Sequence, residues 1–184
     1  LAEAFWAYQA SGAEPGRVVA ATRGLALVQT LAGEVWCAPS GKFRERLRAE
    51  ELTLCAGDWI ALRRLPDAGK SLALDLLPRG PSLSRREAGP GGRRQWLASN
   101  LDAVLLLMGL DRNFNPARLE RLLALAWGSG ARPVVVLTKA DLEARSEAFV
   151  SRIEGLASGA QVLAVSARTG DGLAEVRACL PAGR

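Results

Sequence analysis

Two short segments carry residues whose types and spacing could read a purine base. Thr138-Lys139-Ala140-Asp141 follows the apolar run Val134-Val135-Val136-Leu137, and Ser166-Ala167-Arg168 follows a second run, Gln161 to Val165. Guanine presents N1–H and a 2-amino group side by side, a donor pair that one carboxylate accepts together. Adenine has an acceptor at N1 and no 2-amino group. Asp141 would therefore pair with guanine and be left partly unpaired by adenine, a difference of about 1–3 kcal/mol or more. The aliphatic stem of Lys139 can lie along the base plane. The second loop, turned by Thr169-Gly170-Asp171-Gly172, can present a backbone N–H to the 6-oxo group, which adenine lacks. A chance tetrapeptide with Asp141 as a helix N-cap is the plain alternative. Two segments in this order, each ending a buried strand, weigh against it.

The elements that must position these loops alternate β then α beyond Gln95. Ala103 to Met108 is apolar on both faces, as a buried parallel strand should be. Asn115-Pro116 predicts a helix start, with Asn as N-cap and Pro at the first helical position. Leu119, Leu122, Leu123 and Ala126 follow at helical spacing. Pro133–Leu137 reads as a second strand, 142–156 as a second helix, Gln161–Val165 as a third strand and Asp171–Cys179 as a short last helix. This is the pattern of a doubly wound α/β sheet, whose ligands sit at the carboxyl ends of the strands.

The first part of the chain reads differently. Arg17–Ala21, Leu25–Gln29, Glu34–Cys37, Asp58–Leu62 and Ser71–Leu76 are short β-rich pieces, most of them bounded by glycine or proline, and they predict a small all-β barrel. From Pro78 to Arg94 the chain turns rich in arginine, glycine and proline, the composition of a linker. Gly69-Lys70-Ser71 imitates the end of a phosphate-binding loop. The pattern would require glycine where Arg64 stands, and a β-like run follows, so it reads as a hairpin turn. No other P-loop pattern occurs in these 184 residues.

Composition sets wider bounds. Hydrophobic residues make up 49% and charged residues 23% of the chain, a globular balance. The net charge of +5, with no histidine, favours a polyanionic partner. Cys37, Cys55 and Cys179 are odd in number and widely spaced, which fits neither a zinc site nor a disulfide framework and predicts reduced thiols in a cytoplasmic protein. No run is long enough to span a bilayer.

The order of these features resembles the circularly permuted GTPases of the RsgA (YjeQ) family. In most GTPases the P-loop precedes the guanine loops; here a β barrel precedes them. Further stretches carry the resemblance: Pro15-Gly16-Arg17-Val18-Val19, Ser40-Gly41-Lys42-Phe43-Arg44, Gly57-Asp58-Trp59-Ile60-Ala61-Leu62, Gln95 to Asp102 and Leu119-Glu120-Arg121-Leu122-Leu123. It implies an OB-fold barrel, then a partial P-loop-GTPase-type α/β domain, with a 1–15 extension, a 16–78 RNA-binding barrel, a 79–94 basic linker and a 95–184 GTPase part. It also implies GTP/GDP as ligand, with Thr138, Lys139, Asp141, Ser166, Ala167 and Arg168 at the base. Thr138 stands where the family usually has asparagine, which predicts weaker binding. Mg and a structural Zn are expected only in a longer protein that includes the P-loop, the switch regions and a zinc domain. The 184-residue chain is expected to lack catalytic and metal-ligating residues of its own.

The implied partners are the 30S ribosomal subunit and its 16S rRNA, met by a monomer. Lys42, Arg44, Arg85 and Arg86 are the expected RNA contacts, with Arg93 among the further basic residues of the linker. Trp36 and Phe43 could stack on bases, although Trp36 and Trp59 also suit a core. A competing reading is a non-catalytic RNA-binding adaptor with a degenerate GTPase domain. A third is an unrelated α/β protein.

Overall fold

The computed structural model describes residues 2–9, 11–22, 24–65, 69, 71–86, 92, 94–112, 114–144, 146–157 and 159–180. The chain divides into two compact units, Leu1–Leu101 and Asp102–Arg184. In the first, five strands close a barrel in the order β1-β2-β3-β5-β4. They are β1 (Glu14–Thr22), β2 (Leu25–Thr30), β3 (Gly33–Pro39), β4 (Trp59–Arg63) and β5 (Ser71–Leu76). Closure comes from β1 pairing with β4 and from β3 lying parallel to β5. Alternate residues Val18, Ala26, Val28, Cys37, Ile60, Leu62 and Ala73 point inward and are buried, the period-two pattern of a barrel wall. This is an OB-fold barrel, and β5 running on directly from Ser71 excludes a P-loop helix at Gly69-Lys70-Ser71. Lys70 itself lies outside the described residues.

A helix α1 (Ala2–Gln9) precedes the barrel, and α2 (Gly41–Ala49) separates β3 from β4. The sequence reading assigned no element to either span. Helix α2 starts because the Ser40 hydroxyl accepts the Phe43 amide at 3.3 Å, an N-cap. Phe43 is only 2% exposed and plugs the barrel. This corrects the expectation that Phe43 could stack on RNA. Trp36, by contrast, lies 45% exposed on β3, and Trp59 is half-buried beneath the Arg17 guanidinium.

Residues 79–101, read above as a linker and the entry to a second domain, fall in the first unit. There β6 (Ser82–Arg86) and β7 (Arg94–Ser99) form an antiparallel ribbon. Glycine and proline had masked the short β6. A buried polar cluster ties this segment to the barrel. Asp58, fully buried, accepts Arg79 Nε and Nη2 at 2.7 Å, Ser99 Oγ at 2.6 Å and the Cys55 amide at 2.9 Å. Gly57 sits at φ +88° with its α-carbon so close to Ser99 that an added Cβ would lie 2.0 Å from the Ser99 carbonyl oxygen. Only glycine fits both the backbone angle and the approach.

In the second unit three parallel strands lie in the order β10-β9-β8. They are β8 (Ala103–Gly109), β9 (Arg132–Thr138) and β10 (Gln161–Ala164). Helix α3 (Pro116–Ser129) begins as expected, the Asn115 side chain accepting the Arg118 amide at 3.0 Å with Pro116 in the first turn. Leu119, Leu123 and Ala126 of α3 and Ile153 of α4 (Ser146–Leu156) pack on Leu106, Met108, Val135 and Leu137. The other face of the sheet is covered in part by Val176 and Cys179, from α5 (Leu173–Ala178) and its end. Leu107 on edge strand β8 remains 61% exposed.

Candidate guanine-recognition site

Strands β9 and β10 are parallel and adjacent, Leu137 beside Ala164, so the loops leaving their carboxyl ends emerge together. Two backbone hydrogen bonds fix this junction: Val165 N–H to the Leu137 carbonyl at 2.8 Å, and Ala140 N–H to the Val165 carbonyl at 3.0 Å. Thr138 closes β9, its carbonyl accepting the Leu110 amide at 2.8 Å. Lys139 then takes φ 60° and ψ 38°, left-handed for a non-glycine residue. This costs on the order of 1 kcal/mol and turns the chain at once into a 3₁₀ turn, Ala140–Leu142. Lys139 Nζ donates to Asp111 Oδ2 at 2.5 Å, from the loop that follows β8.

The second loop is organised around Ser166, whose side chain is buried. Its amide donates to the Asp171 carbonyl and its carbonyl accepts from Gly170, both at 2.9 Å. Its hydroxyl accepts the Thr169 amide at 3.2 Å and donates to Asp141 Oδ1 at 2.6 Å. Arg168 Nε donates to Asp141 Oδ2 at 2.8 Å. Among the described residues the Ala167 amide has no hydrogen-bond partner and is exposed. Gly172, at φ +73°, ends the loop where a Cβ would stand 2.2 Å from the Ala164 carbonyl oxygen.

The result is a carboxylate that is largely covered and accepts one hydrogen bond at each oxygen, the Asp141 side chain being 11% exposed. The Ser166 hydrogen bond, and then the Arg168 guanidinium, hold its carboxyl below the ordinary value although partial burial pushes the other way. Ser166 and Arg168 each use one lone pair, and a carboxylate offers about four. Acceptor capacity therefore remains for a pair of N–H donors.

The structure thus gathers Lys139, Asp141, Ser166, Ala167 and Arg168 at one strand-end junction with Thr138 at its base. Asp111, the Lys139 partner, is a member that sequence reasoning missed. Its only signal was its place just after β8. The expected RNA residues are exposed: Lys42 and Arg44 on α2, Arg85 and Arg86 on β6. Arg93 lies outside the described residues. Among the described residues no cluster of three His, Cys, Asp or Glu side chains could hold a metal ion, and no helix is long and apolar enough to cross a membrane.

A closed five-stranded barrel followed by a parallel α/β sheet is the fold of the circularly permuted GTPases. Two solved structures share it. YjeQ from Thermotoga maritima superposes with a TM-score of 0.69 at 24% identity, over 91% of this chain and 57% of that one. YloQ, a circularly permuted GTPase, superposes with a TM-score of 0.67 at 20% identity, over 92% and 57%. The RsgA GTPase family model matches residues 76–183, and the chain belongs to that family. Among curated relatives, the small ribosomal subunit biogenesis GTPase RsgA of Opitutus terrae is 34% identical over 191 aligned positions, covering all of this chain and 52% of that protein. The protein of the same name from Xanthomonas euvesicatoria is 42% identical over 129 positions, 70% of this chain and 34% of that protein. The chain therefore spans about half the length or less of the relatives it matches.

Proposed function

We propose that this chain is the base-reading and RNA-contacting portion of a GTPase that assists late maturation of the 30S ribosomal subunit in the cytoplasm. One observation carries the reading: Asp141 accepts the Ser166 hydroxyl at 2.6 Å, and the next amide along, Ala167, has no partner among the described residues, so an acceptor and a donor are offered together as the edge of guanine requires. Lys139, Asp141, Ser166 and Ala167 contact the base, Thr138 supports them, and Arg168 lies over the site. GTP and GDP are the ligands. Residues 16–78 act as the RNA-binding barrel, 79–101 as a basic ribbon fastened to it and 102–184 as the GTPase part, preceded by a 1–15 extension.

Phosphoryl transfer depends on phosphate cradling and a magnesium ion, and no P-loop pattern occurs in these residues. The chain by itself selects the base and does not hydrolyse GTP. Magnesium and a structural zinc are expected only in a longer protein that includes a P-loop, switch regions and a zinc domain. Lys42, Arg44, Arg85 and Arg86 contact 16S rRNA, and the protein acts as a monomer. Co-sedimentation with purified ribosomal subunits tests this. The protein pellets with small subunits and not with large ones, and equal partition between the two would refute the assignment.

A further inference from the structure

In the ribbon of the first unit, Arg86 on β6 stands directly opposite Arg94 on β7, and Ser84 stands opposite Trp96. Directly opposed residues share one face of a ribbon, with Cβ atoms about 5 Å apart. Both arginines are exposed, and among the described residues neither has a carboxylate partner. Like charges so placed weaken strand pairing. An anion between them reverses the sign, because each guanidinium then makes charge-assisted hydrogen bonds to it.

The pair is also mounted on something fixed. Arg94 lies 5.3 Å from the centroid of the Trp96 ring, and Arg79 lies 4.4 Å from the same centroid. Arg79 is clamped in turn by the buried Asp58. Arg85 projects from the opposite face, where its Nε is engaged by Gln95 Oε1 at 2.7 Å. Arg85 thus has one donor engaged on one face of the ribbon, while Arg86 and Arg94 stand opposed on the other.

We infer that Arg86 and Arg94 form a clamp for one backbone phosphate of single-stranded RNA. The planar fork of each guanidinium suits a phosphate. Both arginines are exposed to solvent, so a lone ion gains little there, whereas a phosphate in a polymer is held by its neighbours as well. This rests on the RNA-binding reading above and sharpens it: Arg94 joins the interface.

The test is binding of an oligouridylate to the protein across a range of salt concentrations. Each phosphate contact on a single strand contributes about 0.7 to the slope of log affinity against log salt. Because both arginines hold the same phosphate, Arg86→Ala, Arg94→Ala and the double variant should each flatten the slope by about 0.7 and weaken binding about fourfold at physiological ionic strength, while Arg152→Ala, exposed on α4, stays within about twofold. Arg94→Lys should keep the wild-type slope, which separates loss of charge from damage to the ribbon. Equal losses from Arg152→Ala and Arg94→Ala would overturn the clamp and leave RNA binding standing. Displacement of the RNA by millimolar inorganic phosphate would assign the pair to a free anion and overturn it too. If the wild-type protein does not bind the RNA, clamp and RNA reading fall together.

Discussion

Replacing Asp58 by asparagine should unfold the barrel unit more readily than any surface change. Asp58 is fully buried and accepts four hydrogen bonds, two of them from Arg79, whose own side chain is only 10% exposed. Asparagine keeps the shape and loses the charge. Its amide nitrogen faces at least one donor, and the guanidinium is left buried without a counterion. Charge-assisted hydrogen bonds contribute about 1.5–3 kcal/mol each, and breaking one side of a buried pair costs about 3–5 kcal/mol. Against a typical domain stability of about 5–15 kcal/mol, that is a large share. Urea unfolding of a Trp127→Phe background, in which every remaining tryptophan lies in the first unit, followed by tryptophan fluorescence, should show the midpoint fall with little change in slope. The double variant Asp58→Leu/Arg79→Met should recover much of the loss, since an apolar pair of similar volume leaves no charge stranded. A loss below about 1 kcal/mol for Asp58→Asn would refute the claim that this ion pair fastens residues 79–101 to the barrel.

Other outcomes follow from the second unit and from the thiols. Asp141→Asn presents one donor and one acceptor where guanine offers two donors, so preference should move toward xanthine, with GDP affinity falling by about tenfold or more; competition binding with GDP and XDP measures it. Because the Asp141 carboxyl is held below its ordinary value, GDP binding should persist as pH falls past that value and disappear only through the lowered one. A loss that begins above the ordinary carboxylate range would contradict this. Gly172→Ala forces a left-handed alanine into the Ala164 carbonyl and should destabilise the loop by about 2 kcal/mol or more, read by thermal unfolding. Burial pushes Cys37 and Cys55 up to about 11, so iodoacetamide should spare both at neutral pH until the barrel unfolds.

Much of this was legible because the signals were local. Short β-rich pieces bounded by glycine or proline marked the barrel strands, the Asn115-Pro116 pair fixed the start of α3, and the guanine loops lie where apolar runs stop. Helix α2 escaped because it is short and charged and buries only Phe43. Its Ser40 cap three residues before Phe43 was the usable clue. Strand β6 was hidden by its glycine- and proline-rich flanks, since its pairing with β7 is a property of the ribbon and not of either segment. The Asp58–Arg79 pair joins residues 21 apart, and the Lys139–Asp111 pair joins residues 28 apart. No spacing rule links such positions before the fold is known. Trp36 shows the reverse limit: its type suits a core, but its register on β3 faces it outward.

The central claim is that the junction of the 138–141 and 166–168 loops selects guanine. Amide NMR of the protein titrated separately with GDP and ADP at millimolar concentration tests it most directly. GDP should move the Ala167 and Arg168 amides, ADP should leave them in place, and Asp141→Asn should require about tenfold more GDP or worse for the same response. Equal movement with ADP, or no movement with GDP at saturating concentration, would contradict it.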